Sequence, residues 1–169
     1  KEAADQWNQL LKRIEVKDAG GRDQAFFDHC LYRLLLFPQT FYETDSTGND
    51  WHLDVTHQKI KPGKAYTNIG FWDLFRTSFP LFSLVYPDYY RRFLEGFLNT
   101  YQDTGFLPKW LAPDERGMMP GTLIDGVFAD AVTKGIAPDL HENMLTAMLQ
   151  TAQKTDPTQH FGRHGNESY

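Results

Sequence analysis

The sequence predicts a mainly α-helical protein, an array of helix pairs with one long irregular or short-stranded excursion around residues 39–70. Three observations carry that expectation. Apolar residues recur at helical spacing in about six segments, and the breaks between segments fall on Gly and Pro. No stretch alternates strands and helices in the manner of βαβ units. Such an array fits a helical bundle or part of an α/α toroid assembled from helix pairs.

Trp7, Leu10, Leu11 and Ile14 mark the stripe of a first amphipathic helix, and Gly20-Gly21 then breaks the chain. From Arg22 to Phe37 the apolar positions are dense, so this helix is expected to be buried on most sides until Pro38 stops it. Residues 39–70 hold polar runs, a Pro62-Gly63 turn signal and room for two short strands. Connections beyond about 12–15 residues without helix are usually functional or flexible. Helical spacing returns from Phe71 to Val85, where Pro80 should kink or split the helix. Tyr90 to Tyr101 forms the next stripe, and Gly105 closes it. A Pro-rich loop follows from Phe106 to Gly121. Ile124 to Val132 makes another helix, with Thr122 and Asp125 at capping-box spacing and Gly135 as its stop. The last helix opens at Pro138 and carries Leu140, Met144, Leu145, Met148, Leu149 and Ala152.

At 169 residues the chain is long enough for a real core. A net charge of -5 and scattered basic residues give no stripe to neutralise phosphates, so a nucleic-acid partner is not expected. No apolar run reaches the roughly 18 residues of a membrane span. The single Cys30 excludes an internal disulfide and reads as a small buried hydrophobe. Aromatic content stands out at 15%, and several rings fall in Gly/Pro/Asp-rich connections, where they could stack on the C–H faces of sugars.

The residues that could carry chemistry each have a plainer account beside them. Asp73 could accept hydrogen bonds from sugar hydroxyls, with Trp72 as a stacking face and Arg76 as a planar donor. From spacing alone, Asp73 reads more readily as a helix-start charge paired with Arg76. Trp110 and Lys109 sit in a Pro-rich loop, where Trp110 either serves a site or pins the loop to the core. Asp114 and Glu115 could supply an acid or base for glycoside hydrolysis, although adjacent acids in a polar loop are usually solvated. Asp125 and Asp130 read as a cap and a surface charge. His52 and His57, five apart, give only a faint metal-site pattern, and Asn166-Glu167-Ser168 matches a glycosylation acceptor.

In sequence order, the pieces resemble the glycoside hydrolase family 92 α-mannosidases. The resemblance runs through Leu31-Tyr32-Arg33 with Pro38, then Phe71-Trp72-Asp73 with Arg76 and Pro80, then Gly105-Phe106-Leu107-Pro108-Lys109-Trp110. It continues through Met119-Pro120-Gly121, Ala129-Asp130-Ala131 with Lys134-Gly135-Ile136, and Gly162-Arg163 with Gly165 and Tyr169. The stretch Gly121-Thr122-Leu123-Ile124-Asp125 departs from the pattern, since many members carry a polar residue just after the Gly. The resemblance implies an exo-acting, inverting, calcium-dependent α-mannosidase whose catalytic domain is an (α/α)6 toroid. Residues 1–169 would be a single partial domain of it, with mannose-containing glycans and the remainder of the catalytic domain as partners. It places Trp72, Asp73 and Trp110 around the terminal mannose, and puts the general acid, the base and most calcium ligands beyond Tyr169. A reading from another class is a non-catalytic helical module that binds carbohydrate or a protein partner through its aromatic loops.

Overall fold

Helices make up about half of the chain, and short strands pair into three small antiparallel sheets among the described residues. The structure is a computed structural model that describes residues 2–17, 20–156 and 161–162. Arg163, Gly165, Tyr169 and the Asn166-Glu167-Ser168 acceptor lie outside the described residues. Contacts divide the chain into two units, Lys1–Phe37 and Pro38–Tyr169.

The first unit is a helical pair, α1 (Glu2–Leu11) and α2 (Arg22–Leu34). Gly21 opens α2 with φ of 68°, a left-handed conformation that Gly adopts at little cost. Trp7 meets Tyr32 with ring centroids 4.8 Å apart. The expectation that α2 is buried on most sides is wrong. Leu31 is its one buried residue, while Phe26 is 71% exposed and Cys30 is exposed. A helical pair covers only one stripe of each member, and density of apolar residues does not supply more neighbours.

The second unit begins with the excursion, which holds six short strands rather than two: β1 (Gln39–Thr40), β2 (Tyr42–Thr44), β3 (Asp50–Asp54), β4 (Lys59–Pro62), β5 (Tyr66–Thr67) and β6 (Ile69–Gly70). β2, β3 and β4 form a three-stranded meander, and β1 pairs with β5. Asp45 shapes the β2–β3 turn by accepting from the backbone of Thr47 (2.8 Å) and Asn49 (3.0 Å) and from the Trp51 Nε1–H (2.8 Å). Hydrogen bonds of this kind hold its carboxyl well below the usual range.

The meander turns its charged face inward. His52 and Asp54 are buried, whereas Trp51, Leu53 and Ile60 on the other face remain exposed. The buried set closes on Asp103 of the helix α5 (Pro87–Thr104). His52 lies 2.8 Å from Asp103 through Nε2 and 2.9 Å from the Gly63 carbonyl through Nδ1. A carboxylate and a carbonyl only accept, so this geometry favours the imidazolium form of His52, in which both ring nitrogens donate. Lys61 reaches Asp54 at 2.7 Å and Asp103 at 2.8 Å, and His57 reaches Asp54 at 2.8 Å. Burial opposes ionisation of Asp54, but the bonds from Lys61 and His57 outweigh it and bring its pKa to about 2. His52 and His57 are therefore parts of an ion-pair network rather than a metal site.

Residues Phe71–Val85 split into α3 (Phe71–Leu74) and α4 (Ser78–Val85). The break falls at residues 75–77, upstream of Pro80. Pro80 has no N–H for the Arg76 carbonyl and its ring would clash there, yet it fits the first turn of a new helix. α5 follows, and the Gly105 N–H closes it on the Tyr101 carbonyl at 2.7 Å. α6 (Ile124–Thr133) ends in the two bonds of a Schellman motif, Gly135 to Val132 and Ile136 to Ala131. Its start differs from the expected capping box: the Thr122 hydroxyl bonds the Asp125 carboxylate at 2.9 Å instead of a backbone N–H. A single 3-10 turn, Pro138–Leu140, leads into α7 (His141–Gln153). α7 buries Met144, Ala147 and Thr151 and leaves Leu145 and Leu149 exposed.

α4 packs on α5 and α6, and α7 packs on α5 and α6. Phe71, Phe79, Phe82, Tyr90, Phe93 and Phe97 fill the space between, together with Ile124, Val127, Phe128 and Met144. The rings meet mostly edge to face, as their quadrupoles favour: Phe71–Phe97 at 5.0 Å, Phe82–Phe93 at 5.1 Å and Tyr66–Phe93 at 4.9 Å. Gly96 lets the Tyr66 ring of β5 lie against α5, where a Cβ would stand 2.5 Å from it.

The charged network gives a signed pH dependence. The hydrogen bond to Asp103 raises the His52 pKa above its ordinary 6.5, so its stabilisation is complete below that value and disappears as pH rises through the folded-state pKa. His52→Asn should therefore cost about 1.5–3 kcal/mol near pH 5, where a charged hydrogen bond is lost, and less near pH 9. Urea midpoints of both proteins across that range check it. A difference that grows with pH would show that His52 is not held as a cation.

Candidate sugar-binding site

The fold brings together two segments that lie about forty residues apart in the chain. β6 pairs antiparallel with β7 (Trp110–Leu111), setting Gly70 opposite Trp110 and Ile69 opposite Leu111. One residue further on, the Phe71 N–H donates to the Lys109 carbonyl at 3.3 Å. The Phe71-Trp72-Asp73 and Leu107-Pro108-Lys109-Trp110 stretches thus share one short ladder. Ile69, Phe71, Leu107 and Leu111 are almost fully buried and fix it to the core. Gly70 is needed for a close approach: a Cβ there would overlap the six-membered ring of Trp110.

Trp72 stands 40% exposed, Asp73 is exposed, and Trp110 is half-buried beside the Gly70 backbone. The plainer account of Asp73 keeps its place in the first turn of α3 but not its partner. α3 is only four residues long, too short for a useful dipole, and among the described residues no ion pair joins Asp73 to Arg76. The Arg76 guanidinium instead lies over the Phe75 ring, 5.4 Å from its centroid. The Asp73 backbone carbonyl accepts from the Thr77 hydroxyl at 2.8 Å.

Glu115 departs most clearly from the expectation. An acid in a polar loop is usually solvated, yet Glu115 is only 9% exposed. Its carboxylate accepts from the N–H groups of Lys109 (2.5 Å), Gly117 (2.7 Å) and Trp110 (3.2 and 3.3 Å). Burial pushes its pKa up, and these three amides pull the other way. Asp114 does stay near the surface, 3.2 Å from Arg116. Nothing in the local pattern distinguishes the two acids; the direction of a tight turn does. Asp130 pairs with Lys134 at 2.7 Å, as a helix-surface charge would.

Among the described residues, no three His, Cys, Asp or Glu side chains converge so as to hold a metal ion. Among the described residues, no set of side chains fits calcium. No described helix is long and apolar enough to cross a membrane.

The chain belongs to glycoside hydrolase family 92: it matches the Glycosyl hydrolase family 92 catalytic domain over residues 1–169. Among solved structures it is similar to a family GH92 inverting mannosidase from Bacteroides thetaiotaomicron, with 38% identity and a TM-score of 0.90. That likeness covers 97% of this chain and 22% of the other. A family GH92 α-mannosidase from the same organism, in complex with mannoimidazole, shares the fold at 23% identity and a TM-score of 0.79, covering 92% of this chain and 20% of that one. The chain thus spans about a fifth of the length of these solved relatives. Comparison with curated protein sequences finds no significant match.

Gly70→Ala tests the ladder. The added methyl must displace the Trp110 ring, so stability should fall by about 1–3 kcal/mol and tryptophan fluorescence should become easier to quench. An unchanged melting temperature together with unchanged quenching would mean that Trp110 does not lie on Gly70.

Proposed function

We propose that this chain is a portion of an α-mannosidase catalytic domain and supplies part of the pocket for a terminal α-linked mannose. The observation that carries the proposal is the β6–β7 pairing, which sets Trp110 beside the strand leading into exposed Trp72 and Asp73. In this reading the Asp73 carboxylate accepts hydrogen bonds from sugar hydroxyls, and the indole rings bury the apolar C–H surface of the same sugar. Such contacts orient the sugar and exclude water from one side of it.

The reaction itself is proposed to be inverting hydrolysis, as named for the 38%-identical relative. Inversion needs one carboxyl to protonate the leaving oxygen and another to activate water on the opposite face. Asp114, Asp125 and Asp130 each have a cation or hydroxyl beside them, and Glu115 is bound by backbone amides, which favours an acid and a base elsewhere. We assign the acid and the base to residues outside this chain. The calcium that the family resemblance implies would take most of its ligands from outside this chain. The helices α4–α7 are proposed to be a section of the (α/α)6 toroid, with residues 1–169 as one part of that domain.

Asp73→Asn in the intact mannosidase separates this function from a structural role. It keeps the shape but removes the charge and one strong acceptor. A hydrogen bond to a charged group is worth about 1.5–3 kcal/mol, so kcat/KM should fall roughly ten- to a hundredfold. A structural Asp73 would instead cost under about 1 kcal/mol of stability and leave kinetics alone. Unchanged kcat/KM with a slightly lowered melting temperature would remove Asp73 from the pocket.

A further inference from the structure

Trp110 sits in a stretch with little regular structure to hold it. β7 is two residues long, and the chain then passes through Gly117, Met119 and Gly121, all at positive φ. Two ladder positions do not by themselves fix a large ring against one face of β6. The remaining restraint comes from Glu115. Its two oxygens gather the N–H groups on both sides of the turn, Lys109 and Trp110 before it and Gly117 after it. On the same peptide strip, the Trp110 carbonyl accepts from the Arg116 N–H at 2.9 Å and the Lys109 carbonyl from Phe71. The Trp110 main chain is therefore held on both its donor and its acceptor side.

Only a carboxylate meets this demand. Three donors converge on one buried side chain, and Asp and Glu are the side chains that offer two acceptor oxygens and no donor. Gln would turn an NH2 toward one group of amides and leave it unsatisfied. An apolar residue would orphan all three, which a buried loop does not tolerate. The reach also matters, because both oxygens are engaged at once on opposite sides of the turn.

We infer that Glu115 is a positioning residue for the mannose pocket: by binding the Lys109, Trp110 and Gly117 amides, it sets where the Trp110 ring stands relative to Trp72 and Asp73. The inference rests on the pocket assignment proposed above. Glu115 touches no sugar and transfers no proton; it acts through Trp110. A loop-stabilising role alone would lower the melting temperature and the amount of folded enzyme. It would not make the kinetic effect of Glu115 depend on the presence of Trp110.

A double-mutant cycle on kcat/KM in the intact mannosidase tests this, with Trp110→Ala, Glu115→Gln and the double variant, each corrected for folded fraction. Trp110→Ala and Glu115→Gln should each lower kcat/KM about tenfold or more, and the double variant should fall no more than about twofold below Trp110→Ala, as residues acting in one unit do. Glu115→Asp keeps both acceptors one methylene short and should recover part of the loss; it also replaces Gln in the cycle if Glu115→Gln does not fold. Losses that multiply in the double variant would overturn the inference, as would a normal kcat/KM in Glu115→Gln beside a damaged Trp110→Ala. If Trp110→Ala itself keeps full kcat/KM, the pocket assignment falls, and this inference falls with it.

Discussion

The junction of β6 and α3 with α4 and α5 depends on the ring contacts of Phe71, Phe79 and Phe97. Phe71 opens α3, Phe79 belongs to α4 and Phe97 to α5, and the three rings meet pairwise within 5.8 Å. Phe71 stacks on Phe79, and Phe97 meets both edge to face. Their burial ties the end of β6 to two helices at once. Because Phe71 directly follows Gly70, the same contacts fix the ladder to β7. Large rings suit this junction, since each buries a wide apolar area with only two torsions to freeze, and edge-to-face pairs add specificity of angle. Trp72 and Asp73 then leave the core on the next two residues and emerge at the surface.

Electrostatics organise the meander. The β2–β3–β4 meander is held to α5 by ion pairs more than by apolar burial, with His52 and Lys61 set against Asp54 and Asp103. Two cations face two carboxylates, so the buried set is close to neutral, which is the condition under which buried charges are tolerated. Its apolar face stays outside. Strand alternation alone would favour the opposite choice, but Asp103 on α5 selects the charged face.

Helix ends and breaks are legible in the residues because their causes are local. Gly105 and Gly135 stop α5 and α6 through left-handed closing bonds, and Pro80 forces a break within one turn of itself. The proximity of Trp72–Asp73 to Trp110 is legible only through family resemblance, since no spacing rule joins segments that far apart. The burial of Glu115 is hidden for the same reason: whether an acid in a loop meets water or three amides depends on the course of the backbone around it. The excursion shows too few strands in its sequence because two-residue strands carry no readable alternation. α2 reads as more buried than it is because apolar density records what a helix could bury, not how many neighbours it has.

By itself the sequence determined that helices dominate and where α5 and α6 stop, that aromatic side chains dominate the core, and which short motifs mark the family. These follow from backbone torsions, missing donors and hydrophobic spacing, all set within a few residues. The tertiary structure alone decided which face of the meander turns inward, which of two adjacent acids is buried, and that Gly70 and Trp110 touch. Each of those is a choice between neighbours distant in sequence, settled by packing and by the requirement that every buried donor and charge find a partner.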